Sequence, residues 1–373
     1  MNPASHLATL SAPPSDKSFQ RWTLWLVLGL LLYPWIASPF FTFQVGAQAL
    51  ILGTIALSLS FLAGQGGMVS LSQMTVAGIA GYAMAILGMA EPTAASVNLG
   101  WPCWLAVPAA VALGTLAATG IGALAVRTEG IYTIMITLAV GVAFYYLAQQ
   151  NILLFNGFQG ISRVVPPTLM GLDWRSPVPF YYLALLVAGA ALSAVTYLLC
   201  TPFGIALQGT RDNARRMRAL GFQVTAHRLA AHALAGFIAA VGGVLWVWYQ
   251  GRISPGTVGT GAMINVLVVA VLGGLRRPVG AFIGALVFVL LQNFAIDLVS
   301  RERFNLVIGG VFLAIVLFSP DGLLGLWQRL RQSWLRTGNT GANPRSPVQP
   351  QAGDKRVISP QPPVQQLPGD NHE

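Results

Sequence analysis

Lysine is almost missing from this chain: none lies between Lys17 and Lys355. A phosphate-cradling P-loop needs a lysine that reaches the β- and γ-phosphates, so that stretch holds no such ATP site. Charge of either sign is scarce, at 9% of 373 residues, where a soluble domain carries about 25%. The acidic residues Glu91, Glu129, Asp173, Asp212, Glu302 and Asp321 all fall between apolar runs, and only Asp297 sits just inside one. Ion-coupled carriers keep an ionisable group near mid-membrane, and none is found here. The four histidines (His6, His227, His232 and His372) lie in the tails or beside the end of one run. With no acidic cluster and no CxxC, they suggest neither a metal site nor a catalytic triad. The two cysteines, Cys103 and Cys200, sit at ends of apolar runs that emerge on opposite sides. A hydrocarbon core about 30 Å thick separates them, well beyond the roughly 7 Å Cα reach of a disulfide. No metal or cofactor is expected in this chain.

What is present is apolar sequence, 55% of the residues, with a mean hydropathy of +0.65. Apolar segments run over Trp22–Phe43, Val45–Ala63, Met68–Ala90, Trp101–Val126, Ile131–Leu147, Phe180–Cys200, Leu229–Tyr249, Ala262–Leu275, Val279–Val299 and Phe304–Phe318. Most approach the length a spanning helix needs, about 20 residues, and the eighth and tenth are short. The first is too long for a cleavable signal. The expected fold class is therefore all-α, a polytopic transmembrane helical bundle of about ten spans.

Charge placement supports that count. With the amino terminus inside, Lys17, Arg21, Arg127, Arg211, Arg215, Arg216, Arg218, Arg228, Arg276, Arg277, Arg329, Arg331 and Arg336 are inside. Arg163, Arg175, Arg252, Arg301 and Arg303 are outside, so the ratio is 13 to 5 without the far tail. The positive-inside rule predicts this asymmetry, and both chain ends then lie in the cytoplasm. The net charge of +10 follows from those loops. No basic surface interleaved with aromatics is visible, which argues against nucleic acid. Residues 1–21 read as a polar cytoplasmic segment and 22–326 as the membrane domain. The Pro- and Gln-rich stretch 337–373 reads as a disordered tail.

Uncharged polar residues interrupt the apolar runs. Ser and Thr hydroxyls commonly bond back to their own helix or across to a neighbour. A side-chain amide facing lipid is costly, so Gln73 and Asn265 are expected to face protein or a polar path. The candidates for a solute path are Ser70, Ser72, Gln73, Thr137 and Asn265. Glycines around Gly64–Gly81 and Gly273–Gly284 have the spacing of close or broken helices.

The loop 202–228 is the longest and most charged of the inside segments. Thr210 as N-cap and Gly221 as stop predict one helix of about ten residues. Arg211, Arg215 and Arg218 would share a face on it, and Asp212 would pair with Arg216. Met217 and Leu220 would form an apolar spot. Such a helix suits a groove on a soluble protein or the surface of anionic lipid, and physics alone does not choose between them.

Several motifs in order resemble one family. Arg211-Asp212-Asn213 with Arg218-Ala219-Leu220-Gly221 is similar to the coupling segment of branched-chain amino-acid ABC transporter permeases. These belong to a larger set of binding-protein-dependent inner-membrane permeases that also serves ribose and urea. Ser70-Leu71-Ser72-Gln73 with Gly78-Ile79-Ala80-Gly81-Tyr82, Arg127-Thr128-Glu129-Gly130-Ile131-Tyr132 through Thr137-Leu138, and Ile253-Ser254-Pro255 also resemble that family. So do Gly273-Gly274 with Gly284-Ala285, and Phe318-Ser319-Pro320-Asp321-Gly322-Leu323. Ser72, Arg216, Met217, Ala281 and the stretch Phe155–Gly160 depart from its pattern. The resemblance implies a permease subunit of the cytoplasmic membrane in which Arg211, Asp212, Asn213, Arg215, Arg218, Ala219, Leu220 and Gly221 transmit the work of an ATPase. It further implies a second homologous permease, two cytoplasmic ATP-binding subunits that hold the ATP, and an extracytoplasmic substrate-binding protein. Branched-chain amino acids are the first expected solute. Urea or another small solute of the same set, and an ion-coupled carrier, are the alternatives.

Overall fold

The computed structural model describes residues 28–88, 99–166 and 176–298, with Trp174 and a few single residues between 309 and 325. The segments 1–21 and 337–373 lie outside the described residues, as does most of the expected run Phe304–Phe318.

A helical stretch over 28–36 ends at Ala37 and Ser38. Pro39 then opens the way to α1, Phe41–Gly66. Its first turns, Phe41–Ala47, are π-helical. The break thus falls several residues before the expected boundary at Phe43 and Val45, because proline favours the start of a helix over its interior. α1 is apolar all round and almost wholly buried, as expected of a helix enclosed by others. α2 is Gln73–Leu87, only 15 residues, or about 22 Å. The expected run from Met68 is not helical before Gln73. The chain reverses at Gly67, whose φ of 66° is left-handed and is a natural helix stop for glycine.

α3 (Cys103–Ala125), α4 (Ile131–Gln150) and α5 (Pro177–Cys200) are full-length apolar helices with exposed outer faces. Two short helices follow, α6 (Pro202–Asp212) and α7 (Ala214–Ala219), before the 27-residue α8 (Val224–Gln250). α9 (Thr260–Gly273) and α10 (Pro278–Leu298) meet at a 116° bend. Among the described residues, five helices are long and apolar enough to cross a membrane, or six if the bent pair counts as one span. The molecule is an all-α bundle, with one two-residue strand pair, β1 (Ile161–Ser162) and β2 (Arg252–Ile253).

α1 and α8 form the centre, with α2, α3, α9 and α10 packed around them. Small residues permit the close crossings: a Cβ on Gly243 of α8 would collide with the Ala77 backbone of α2, and one on Gly284 of α10 with that of Val269 in α9. These contacts fix the helix ends in two groups. At one end, Arg211 Nη1 donates to the Gly64 carbonyl at 2.5 Å. Gln65 Nε2 donates there to the Arg276 carbonyl at 3.1 Å, and Arg228 faces Glu129 at 3.5 Å. At the other, the Trp101 amide donates to Leu87 and β1 pairs with β2. Cys103 and Cys200 are free, at opposite ends of the bundle.

Candidate functional site

Arginine collects at the first of these ends. Among the described residues, Arg127, Arg211, Arg215, Arg216, Arg218, Arg228, Arg276 and Arg277 lie there, against Arg163 and Arg252 at the other. The most exposed part is α6–α7. The expected single helix is broken into two. Asn213 leaves helical geometry at φ −156°, ψ 91°, and its side chain accepts from the Arg216 amide at 2.9 Å, capping α7. A side-chain carbonyl that substitutes for the backbone favours such a break over continuation. Thr210 is therefore no N-cap. It is buried inside α6, and its hydroxyl donates to the Leu207 carbonyl.

This break divides the expected arginine stripe. Arg211 belongs to α6 and reaches back to α1, with Asp212 at 2.9 Å beside it. Asp212 pairs with Arg211 and not with Arg216. Arg215 and Arg218 on α7 remain exposed with Arg216, followed by Ala219. Met217 turns inward, against Gly209. The exposed apolar spot is thus Leu220 at 66% with Phe222 at 42%, beyond which Gly221 at φ 90° turns the chain as expected. His227 lies parallel to Phe203, rings 5.8 Å apart, while His232 is buried. The two histidines share no site.

Behind the arginine end lies a buried polar cluster. The chain re-enters the bundle after Gly67 as an irregular segment, and α2 starts at the level of the middle of α1. There the Ser58 hydroxyl is shared between the Ile55 carbonyl at 2.6 Å and Gln73 Oε1 at 3.1 Å, and the Ser70 and Ser72 hydroxyls are 2.9 Å apart. The Leu71 amide donates to Thr137 Oγ1 of α4 at 3.1 Å. All of these side chains are buried. The structure therefore brings together four of the five solute-path candidates, Ser70, Ser72, Gln73 and Thr137. It adds Ser58 and Thr75, whose hydroxyl has no partner. Irregular backbone at membrane depth persists only when enclosed by protein, since each unsatisfied peptide group in hydrocarbon is costly. The fifth candidate, Asn265, does not join them. It is exposed on α9.

A second polar group, outside the expected site, spans α1, α8 and α10 near the opposite end. Tyr249 OH donates to Gln44 Oε1 at 3.2 Å, and Gln48 Nε2 to Gln292 Oε1 at 3.4 Å. It borders a cavity of about 420 Å³ lined by Pro39, Phe40, Phe43, Gln44, Pro177, Tyr249 and Gly251. The glutamines were visible in the sequence as polar interruptions, but Tyr249, 201 residues from Gln48, carried no signal linking it to them. Among the described residues, no group of His, Cys, Asp or Glu is placed to hold a metal ion.

Residues 41–316 match the family described as branched-chain amino acid transport system / permease component. Over 339 residues the chain is 26% identical to the high-affinity branched-chain amino acid transport system permease protein LivM of Escherichia coli strain K12, covering 84% of this chain and 77% of that one. It is similarly 26% identical to LivM of Salmonella typhimurium, with the same coverage. It is also 26% identical over 268 residues to the autoinducer 2 import system permease protein LsrC of Photorhabdus laumondii, covering 69% of this chain and 76% of that one. No solved structure matches. An enclosed helical bundle, an arginine-rich end bearing two short helices, and a match over most of its length converge on one conclusion: this chain belongs to the family of permease components of branched-chain amino acid transport systems.

Proposed function

We propose that this chain is one of two membrane subunits of an ATP-driven importer in the cytoplasmic (inner) membrane, and that its solute is a branched-chain amino acid. The observation that carries the reading is the α6–α7 pair, anchored to the centre of the bundle through Arg211 and Gly64. The exposed Arg215, Arg216, Arg218 and Leu220 call for an acidic groove with an apolar floor, and we assign that groove to a soluble ATPase. Two such ATPases bind the ATP, and an extracytoplasmic binding protein delivers the solute. We read about ten spans with both chain ends in the cytoplasm, supported by the concentration of arginine at one end. Residues 22–326 form the permease domain.

ATPase closure displaces α6–α7, and Arg211 passes the movement to α1 and to the neighbouring elbow between α9 and α10. The polar cluster of Ser70, Ser72, Gln73 and Thr137 lies beside the route and re-forms its hydrogen bonds as α4 shifts against α2. Asn265 faces the route from outside the bundle. Uncharged polar groups of this kind suit a zwitterion with an apolar side chain better than a multiply charged ion. The likeness to autoinducer 2 permeases favours a second reading, in which a sugar-like solute uses the same machinery.

The test is uptake by vesicles holding the whole assembly. Labelled leucine, isoleucine or valine accumulates only with ATP inside and binding protein outside. Accumulation that survives without ATP but collapses with the ion gradient removes the importer reading. ATP-dependent uptake of a sugar-like solute alone replaces the amino acid.

A further inference from the structure

α2 begins where a transmembrane helix ordinarily does not, inside the bundle. Gln73, its first residue, meets Ser58 of α1, eight residues or about 12 Å short of the arginine-rich end at Gly66. A helix start carries about half a positive charge, and its first amides have no partner within the helix. A side chain commonly caps them. None does so here, and the first backbone bond to close runs from Val76 to the Ser72 carbonyl at 2.9 Å. The amides of Gln73, Met74 and Thr75 precede that bond, and no described residue accepts from them within hydrogen-bonding geometry. Glu129 and Asp212 bring no compensating charge, because they pair with arginines at the end of the bundle.

A second observation at the same turn points to a ligand. Thr75 is fully buried, and its hydroxyl has no partner. A threonine inside a helix commonly bonds back to its own carbonyls, as Thr137 does on α4. Helical side chains lean toward the start of their helix, which sets the Thr75 hydroxyl beside the free amides. The Ser70 and Ser72 hydroxyls, 2.9 Å apart, share one hydrogen bond and leave one proton over. The corner between α2, α4 and α9 is closed by the far end of Met263. A Cβ on Gly141 would lie 2.6 Å from Met263 Cε, and 2.8 Å from both Met263 Sδ and Thr75 Oγ1. Thioether and hydroxyl thus share the hollow left by that glycine. Methionine turns about three side-chain bonds, so it vacates the hollow without backbone movement.

We infer that the first turn of α2 seats the carboxylate of the solute in transit, held by the Gln73–Thr75 amides and the Thr75 hydroxyl once Met263 swings aside. Donors of this kind favour an oxyanion over a neutral group, and interrupted membrane helices elsewhere present their starts to anionic groups. The inference rests on the amino-acid importer reading above and names the chemical group that the route recognises.

Thr75→Val keeps the shape of the side chain and removes its hydroxyl. The experiment measures leucine transported per ATP hydrolysed by the whole reconstituted importer with its binding protein, and thermal unfolding alongside. Thr75→Val should lower that ratio by roughly tenfold or more, the worth of a hydrogen bond to a charged group. It should not unfold earlier, since no partner is lost, and Thr75→Ser should restore transport. Wild-type transport in Thr75→Val overturns the site. So does a loss of transport matched by earlier unfolding, the result of a packing role. The charge is tested on the permease–ATPase complex without binding protein, by equilibrium binding of L-leucine and of L-leucinamide, whose carboxamide has the shape of the carboxylate. Leucine should bind at least roughly tenfold more tightly, and Thr75→Val should narrow the gap. Equal affinities, or no binding of leucine, overturn the carboxylate assignment. In each of these cases the importer reading stands if wild type moves leucine with ATP, and falls if it moves none.

Discussion

Gly64 is where three elements meet. Its carbonyl accepts from Arg211 of α6, and its α-carbon faces the Leu275 backbone at the α9–α10 elbow. A Cβ on Gly64 would lie 2.9 Å from the Leu275 carbonyl carbon and 3.4 Å from the Arg276 α-carbon, and it would collide with the Leu275 oxygen. Carbon atoms rest at about 3.5–4.0 Å, so in Gly64→Ala the carbon contact alone asks the elbow to retreat by about 0.6–1 Å, and the closer Leu275 oxygen asks for more, from a backbone that has no rotamer to yield. Overpacking of this kind costs about 1–3 kcal/mol, or roughly 5- to 150-fold in the equilibrium between paired and separated elbow at 1.4 kcal/mol per decade. Gly120→Ala on α3 is the control, because nothing lies within 4 Å of the added methyl. Both substitutions share the helix preference for alanine, about 1 kcal/mol, and the difference between them isolates the crowding. The assay is solute transported per ATP hydrolysed in the reconstituted importer, with thermal unfolding measured alongside. Gly64→Ala should hydrolyse ATP but lose most of its transport, and unfold earlier than Gly120→Ala. Indistinguishable transport ratios and unfolding curves would refute the junction.

Other expectations are simpler to state. Arg215→Glu with Arg218→Glu should lower ATPase co-purification by more than tenfold while leaving membrane insertion intact, read on the solubilised chain; unchanged recovery removes α7 from the interface. Ser58→Ala should cost about 1–3 kcal/mol by leaving the buried Gln73 carbonyl oxygen unpaired. Combining it with Gln73→Leu should recover much of that, which a double-mutant cycle of unfolding measures. Glu129→Gln should shift stability by less than about 1 kcal/mol, because its pairing with Arg228 is long and the carboxylate mostly exposed; a larger loss would place Glu129 in the transport cycle.

Much of the bundle was legible from the sequence because lipid imposes length and apolarity on each helix, and the arginines of alternate loops do collect at one end of the described bundle. The positions of irregular backbone were less legible. Met68–Ala90 has the composition of one span, yet Gly67 and the serines at 70 and 72 keep its first residues out of helix, and hydropathy does not register that. The loop 202–228 stood out by its charge but not by its shape. Asn213 reads as one more polar residue in a helical run until its side chain is seen capping Arg216. That Ser70, Ser72, Gln73 and Thr137 gather in one buried cluster was legible because polar groups buried in hydrocarbon must find one another. Asn265 breaks the expectation, since it lies exposed on α9 and apart from the cluster. Tyr249 was missed because a phenol near a helix end is unremarkable until Gln44 and Gln48 are beside it.

The strand pair, though only two residues long on each side, has a mechanical result. β2 begins two residues after α8 ends, and β1 holds it to the segment leaving α4. One tip of α8 is thus tethered while the other carries α7. If the partner of the proposed importer pushes at Val224, the tether favours a swing of α8 about a pivot near Arg252 over a slide. Over 27 residues, or about 40 Å, a tilt of about 5° moves the free tip by roughly 3.5 Å while the tethered tip hardly stirs. Under that reading, a small stroke at one end of the bundle would open a gap there while the strand pair keeps the other end closed.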